Sequence, residues 1–231
     1  KSIEQFKNVI RHVKEVENYR GKDENGNTIY IDSVLPTLKF QGTVKIHGTN
    51  AGIRYDGTTL TAQSRERDLS ITSDNCGFYV FMQQNAELFE NLLKSFRDSS
   101  FNSDTVVMYG EWCGGNIQKG VAVSKLDKKF VIFGIRLVNG ADEIFIESLD
   151  LIHQITQYTT LDDLNKRNVY VITQFQTWEL DIDFNSPHDV QNTLTDITNA
   201  VENECPVGKY FGVSGVGEGV VWSHNSEKYG L

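Results

Sequence analysis

The sequence predicts an α+β protein built on antiparallel sheets with interspersed helices. Three observations carry this. Short runs of alternating apolar and polar residues recur along the chain, as half-buried strands require. The dipeptides Asp56-Gly57 and Asn139-Gly140 each join two such runs, and both favour the tight turn of an antiparallel hairpin. Stretches with helical spacing of apolar residues lie among these strands.

In order, Ile3, Phe6, Val9, Ile10, Val13 and Val16 repeat at helical spacing and predict an amphipathic helix over residues 3–16. Residues 20–28 read as a loop, a hairpin tip around Asn25-Gly26. Strands follow over 38–47 and 51–55, and Asp56-Gly57 leads into a third over 59–64. Lys45 and Arg65 are thereby expected on nearby strands of one antiparallel sheet. Phe78, Phe81, Met82, Leu88, Phe89, Leu92, Leu93 and Phe96 predict one long helix, its Met and aromatic stripe packed in the core. Residues 105–112 form a strand ending in Cys113-Gly114-Gly115. Another spans 130–138 and turns at Asn139-Gly140 into 143–147. A short helix over 149–157 and a strand over 168–177 come next. Ser186-Pro187 reads as an N-cap with proline at the first helical position. Val190, Leu194, Ile197 and Val201 make one face of the helix that follows, and residues 215–222 are a glycine-rich approach to a last strand.

The 231 residues, 39% hydrophobic, suffice for one large domain over 1–231, with a helical and loop segment at 1–37. No internal repeat, low-complexity segment or linker is visible. Cys76, Cys113 and Cys205 are odd in number and widely spaced, which gives no disulfide framework or Cys-x-x-Cys pattern and suggests a reducing, intracellular setting. No apolar run is long enough to span a membrane. The net charge of −9 argues against nucleic-acid binding through overall positive charge. A local basic groove could still draw on Arg11, Lys14, Lys45, Arg54, Arg65, Arg67, Lys119, Lys125, Lys128 and Lys129.

The chemistry centres on Lys45-Ile46-His47-Gly48-Thr49-Asn50. A lysine at the end of a strand, before a turn whose glycine lets backbone approach a ligand, is suited to presenting an amine to a phosphate. By itself the stretch reads more readily as a surface lysine before a hairpin turn. Four other segments also place a functional residue on or beside an apolar strand: Ser64-Arg65-Glu66-Arg67, Tyr109-Gly110-Glu111-Trp112, Phe130-Val131-Ile132-Phe133-Gly134 and Glu218-Gly219-Val220-Val221-Trp222. Singly, each has a plain alternative as an edge charge, turn carboxylate or core aromatic.

Together and in this order, the segments resemble the covalent nucleotidyltransferase superfamily of polynucleotide ligases and mRNA capping enzymes. Lys-x-His-Gly-Thr-Asn, Tyr-Gly-Glu-Trp and Glu-Gly-Val-Val are similar to the RNA ligase 2 family, which includes phage and kinetoplastid editing ligases. The resemblance covers residues 38–222 and implies a nucleotidyltransferase (ATP-grasp-like) fold. It also implies an ATP-dependent RNA ligase of the RNA repair type, acting through a lysyl-AMP intermediate and an adenylated RNA 5′ end, in the cytoplasm (a host's, if the protein is viral). Its partners would be RNA ends bearing a 5′-phosphate and a 3′-hydroxyl, its cofactors ATP and Mg²⁺ or Mn²⁺, with no membrane. By the same resemblance Lys45 is the nucleophile and His47 acts on phosphate or pyrophosphate. Asn50 and Arg65 meet the sugar or a phosphate, Glu111 accepts from the ribose, Phe133 stacks on adenine, and Glu218 serves nucleotide and metal. Lys119 and Arg67 are the RNA-binding candidates. The family's next motif, a Lys-x-Lys strand, has no counterpart before Leu231; Lys228 lacks a second lysine two residues on, and the family's C-terminal domain is not expected here. A DNA ligase, a GTP-dependent capping guanylyltransferase and a catalytically silent nucleotide- or RNA-binding module remain alternatives.

Overall fold

The computed structural model describes residues 2–147, 149–224 and 228–230; the side chains of Ser2, Ile3 and Leu149 lie outside that description. Helix α1 (Ser2–Asn18) leads into strands β1 (Tyr19–Lys22) and β2 (Thr28–Tyr30). The loop over 20–28 is thus the hairpin tip expected around Asn25-Gly26, with residues 20–22 and 28 taken into its strands. Its tip is fixed where Asp23 accepts from the N–H groups of Asn25 and Asn27, and Gly26 takes a positive φ of 79°. Strand β3 (Thr37–Lys45) alternates buried and exposed residues through most of its length. β4 (Thr49–Tyr55) and β5 (Leu60–Ser64) flank the Asp56-Gly57 turn, where the Asp56 carboxylate accepts from the N–H of Thr58 and Thr59.

The expected single helix over the next stretch is two, α2 (Phe78–Gln84) and α3 (Ala86–Arg97). They part at Asn85, which leaves the helical region (φ −117°, ψ 22°) and donates from its side chain to the Phe81 carbonyl at 2.9 Å. This is the competition with the backbone that makes asparagine a poor helix interior. β6 (Thr105–Cys113), β7 (Lys129–Asn139) and β8 (Asp142–Glu147) follow, then α4 (Leu149–Ile155) and α5 (Leu161–Asn165), the last not anticipated. The strand expected over 168–177 stops early. β9 (Val169–Val171) gives way to a 3-10 turn because the Gln174 side chain accepts the Val171 N–H at 2.8 Å, and β10 (Thr177–Asp183) is a separate strand. Ser186 makes no side-chain cap; Pro187 opens a 3-10 turn ahead of α6 (Gln191–Asn203). α7 (Pro206–Tyr210) and β11 (Gly219–Ser223) complete the order.

The chain divides into two compact units. The smaller takes Lys1–Gly42, Thr177–Asn199 and Val221–Leu231. Its core gathers Ile10 and Val13 of α1, Leu38 and Phe40 of β3, Ile182, Phe184 and Tyr229. The larger takes Thr43–Gln176 and Ala200–Val220 and holds a six-stranded sheet, ordered β5-β4-β6-β7-β8 with β9 also on β7. The sheet is antiparallel except for β9, which runs parallel to β7. One face carries Ile53, Met108, Trp112, Phe130 and Ile132, all at most 1% exposed, and it packs on Phe78, Phe81 and Phe89 of α2 and α3. The other face carries Asn50, Tyr109, Glu111, Phe145 and Glu147. β3 belongs instead to a three-stranded sheet ordered β10-β3-β11, so Lys45 and the Arg65 end of β5 do not share a sheet as expected.

Candidate active site

β3 ends at Lys45, whose side chain is half exposed, and the chain then switches sheets through residues 46–48. Ile46 is buried and anchors the switch. Gly48 makes it possible. A Cβ there would stand 2.4 Å from the Trp112 carbonyl oxygen and 2.9 Å from the Cys113 Cβ, so only glycine lets the chain cross the end of β6. Thr49 then opens β4, and its hydroxyl accepts from the Asn75 side chain at 3.1 Å.

The Lys45 ammonium lies 2.9 Å from the Glu218 carboxylate, just ahead of β11. Both belong to the larger unit. The two side chains are 54% and 31% exposed, so water screens the pair and it holds its partners only weakly. Glu111 lies in the same cluster. Burial, the largest influence, pushes its carboxyl up to about 7, helped by the negative charge of Glu218. The Gly48 N–H bonded to it and the positive charges of Arg65 and Lys45 act in the opposite sense. Asn50 is directly opposite Glu111 across β4 and β6. The structure therefore brings Lys45, Asn50, Arg65, Glu111 and Glu218 together.

Phe133 occupies a special place on β7. Tyr109 pairs with Gly134 and Gly110 with Ile132, which leaves Phe133 as the extra residue of a β-bulge. Bulges re-aim side chains next to sites, and Phe133 is half-buried between two buried neighbours. His47 lies beyond the end of β3 in the sheet switch, so it does not share a strand face with Lys45; it is half-buried and makes no hydrogen bond with a described residue.

The remaining basic residues do not gather into a groove. Arg67 donates to the carbonyls of Ser73 and Asp74, holding its own loop. Arg54 forks onto Asp68 at 3.0 and 3.2 Å. Lys125 and Lys128 donate to the carbonyls of Ser214 and Cys76. Lys129 is buried, donates to Asn168 and sits 4.6 Å from the Phe211 ring centroid, and burial lowers its pKa. Arg11 and Lys14 belong to the smaller unit. Lys119 is exposed in the loop after β6. Sequence reading passed over Tyr109 and Glu147, whose place on the Glu111 face depends on register across three strands. Tyr109, two residues before Glu111 on one strand, could have been found from that spacing.

Among the described residues no cluster of three or more His, Cys, Asp or Glu side chains could hold a metal ion. Glu218 does fit a magnesium-like ion held by one carboxylate together with substrate phosphates, the usual arrangement where no all-protein cage is built.

No curated protein matches the sequence. Solved structures of Naegleria gruberi RNA ligase do match its fold. The form with pyrophosphate gives a TM-score of 0.55 at 18% identity, covering 95% of this chain and 50% of the ligase. A lysine-to-alanine variant with ATP and manganese gives 0.56 at the same identity and coverage. An aspartate-to-alanine variant gives 0.57 at 18% identity. The chain thus spans half the length of these ligases. The RNA ligase family model matches residues 38–228, which includes Lys45, the bulge at Phe133 and Glu218, and the chain belongs to the RNA ligase family.

Proposed function

We propose that this chain is the adenylyltransferase portion of an ATP-dependent RNA ligase that joins a 5′-phosphate to a 3′-hydroxyl. The observation that carries the reading is the Lys45–Glu218 contact at 2.9 Å, formed where β3 ends and beside the buried Glu111. In the first step the neutral Lys45 amine attacks the α-phosphorus of ATP. A P–N bond forms, the P–O bond to pyrophosphate breaks, and the lysine proton leaves through Glu218 or water. In the second step a 5′-phosphate oxygen of RNA attacks the same phosphorus. The P–N bond breaks and Lys45 leaves as an amine that takes up a proton. In the third step the 3′-hydroxyl attacks the activated 5′-phosphate, and AMP departs.

Such transfers depend on in-line positioning and charge neutralisation. Phe133 stacks on adenine. Glu111 keeps an acceptor oxygen for a ribose hydroxyl in either protonation state. Asn50 and the Arg65 fork meet the sugar or a phosphate. His47 acts on the phosphate chain. Lys119 and the remaining N–H groups of Arg67 contact RNA phosphates. A divalent ion at Glu218, Mg²⁺ or Mn²⁺, supplies charge neutralisation on the phosphates.

The test is intact mass after incubation with ATP and Mg²⁺. One added AMP is expected, and none in Lys45→Ala. Labelling by GTP but not ATP would point to a capping guanylyltransferase, and no labelling by either would leave a binding module.

A further inference from the structure

The face of the six-stranded sheet that carries Asn50 and Glu111 extends across β6 to β8. Tyr109 pairs with Gly52 on one side and Gly134 on the other, so its two partners contribute no side chain of their own, and the Gln63 side chain reaches over Gly52. Phe145 leans in, with ring centroids 6.3 Å apart, and its ring fills the space where a Cβ on Gly134 would stand. Phe133 bulges out of β7 beside them.

Next on this face is Glu147. It ends β8 and pairs with Gly134, so its side chain shares the face of Phe145 two residues earlier. β8 covers β7 from Asn139 back to Gly134, and β9 takes over the same edge at Ile132. Phe133 and Glu147 therefore both lie at the gap between two edge strands. Glu147 is half-buried, and its carboxyl makes no hydrogen bond or ion pair with a described residue. Burial alone pushes its pKa up. A half-buried carboxyl without a partner is costly to keep and suits a ligand's donor. Glu147 is level with Tyr109, so Glu111 and Glu147 stand two strands and two residues apart, roughly 12 Å, with Phe133 in the β7 bulge between them. A nucleoside presents a ribose hydroxyl, a base face and an exocyclic amine in that same order.

We propose that Glu147 reads the base edge of the bound nucleotide, accepting a hydrogen bond from the exocyclic amine of adenine stacked on Phe133. Guanine places its O6 acceptor where adenine has that amine. An acceptor facing an acceptor leaves both unpaired, so guanine is rejected. Glu147 is a specificity-determining residue of the nucleotide-transfer reaction proposed above, and the inference rests on that reading.

The experiment compares wild type, Glu147→Ala and Glu147→Gln. Lys45 labelling is titrated with ATP and with GTP, AMP and GMP binding is measured by calorimetry, and thermal melting checks folding. Glu147→Ala should raise the ATP needed for half-maximal labelling on the order of 10-fold and cut the preference over GTP similarly. Glu147→Gln should keep most ATP labelling, because its amide oxygen still accepts, and admit GTP, because its amide nitrogen donates to O6. Labelling with an unchanged ATP-to-GTP ratio in both variants, or an equal loss for both nucleotides with lowered melting, would overturn the role of Glu147 and leave the ligase reading standing. If wild type takes no label, the ligase reading fails, and binding decides Glu147. Weaker AMP binding in Glu147→Ala supports it, while unchanged binding, or no AMP binding by wild type, overturns it.

Discussion

Glu111 shows how a half-buried carboxyl is held at a cost to folding. Its carboxyl is pushed from an ordinary 4.5 up to about 7, mainly by burial. Between those values the folded chain binds more protons than the unfolded one. The stability this group contributes is therefore full below pH 4.5 and is lost as pH rises to about 7, ~3 kcal/mol at most. Glu111→Gln carries no such charge and keeps an oxygen for the Gly48 N–H. Urea unfolding should show the variant gaining on wild type between pH 5 and pH 8, while nucleotide labelling falls. A constant difference across that range would contradict the shift. That Lys45, Arg65, Glu111 and Glu218 would lie near one another was legible only from the order of their motifs together, since each alone has a plain alternative. Glu147 was not, since its neighbours come from strands whose register no local pattern states.

At the scale of the element, hairpins were read well and interruptions poorly. Asp-Gly and Asn-Gly fix their turns locally, through φ and the aspartate side chain, so the strands they join could be placed. The break at Asn85 and the end of β9 depend on side-chain bonds to particular carbonyls and N–H groups, within an apolar pattern that continues through them. The start of α2 depends on another such bond. Gly77 offers no side-chain cap, and Asp74 instead accepts from the N–H of Asn75 and Tyr79, each at 2.7 Å. Asp74→Ala should uncap α2 and cost about 1 kcal/mol, read as a lower urea midpoint with an unchanged slope.

At the scale of the whole molecule, a net charge of −9 would meet, in the proposed RNA, a substrate that is also anionic. Many of the basic residues that could have formed a groove are committed within the fold, Arg54 to Asp68 and Lys125, Lys128 and Lys129 to internal acceptors. Binding of RNA should then draw on few phosphate contacts. With Lys119 and Arg67 as the contacts, the affinity for a single strand should fall with salt at a log–log slope of about −1.4. A slope steeper than about −5 would reveal a basic surface that the fold does not display. The charge total is plain from composition, but which cations bind internal acceptors became visible only in the folded chain.

The bulge at Phe133 also bears on how this strand tolerates changes in length. Losing one residue from a regular strand inverts every side chain beyond the gap. β7 already holds one residue more than its partner, so removing Phe133 would restore an even ladder with β6 and leave the flanking side chains on their present faces. A chain lacking Phe133 should fold and melt close to wild type while labelling poorly with ATP, whereas one lacking Val107 from β6 should fail to fold. The aromatic residue beside the site is in that sense an insertion, separable from the sheet that carries it.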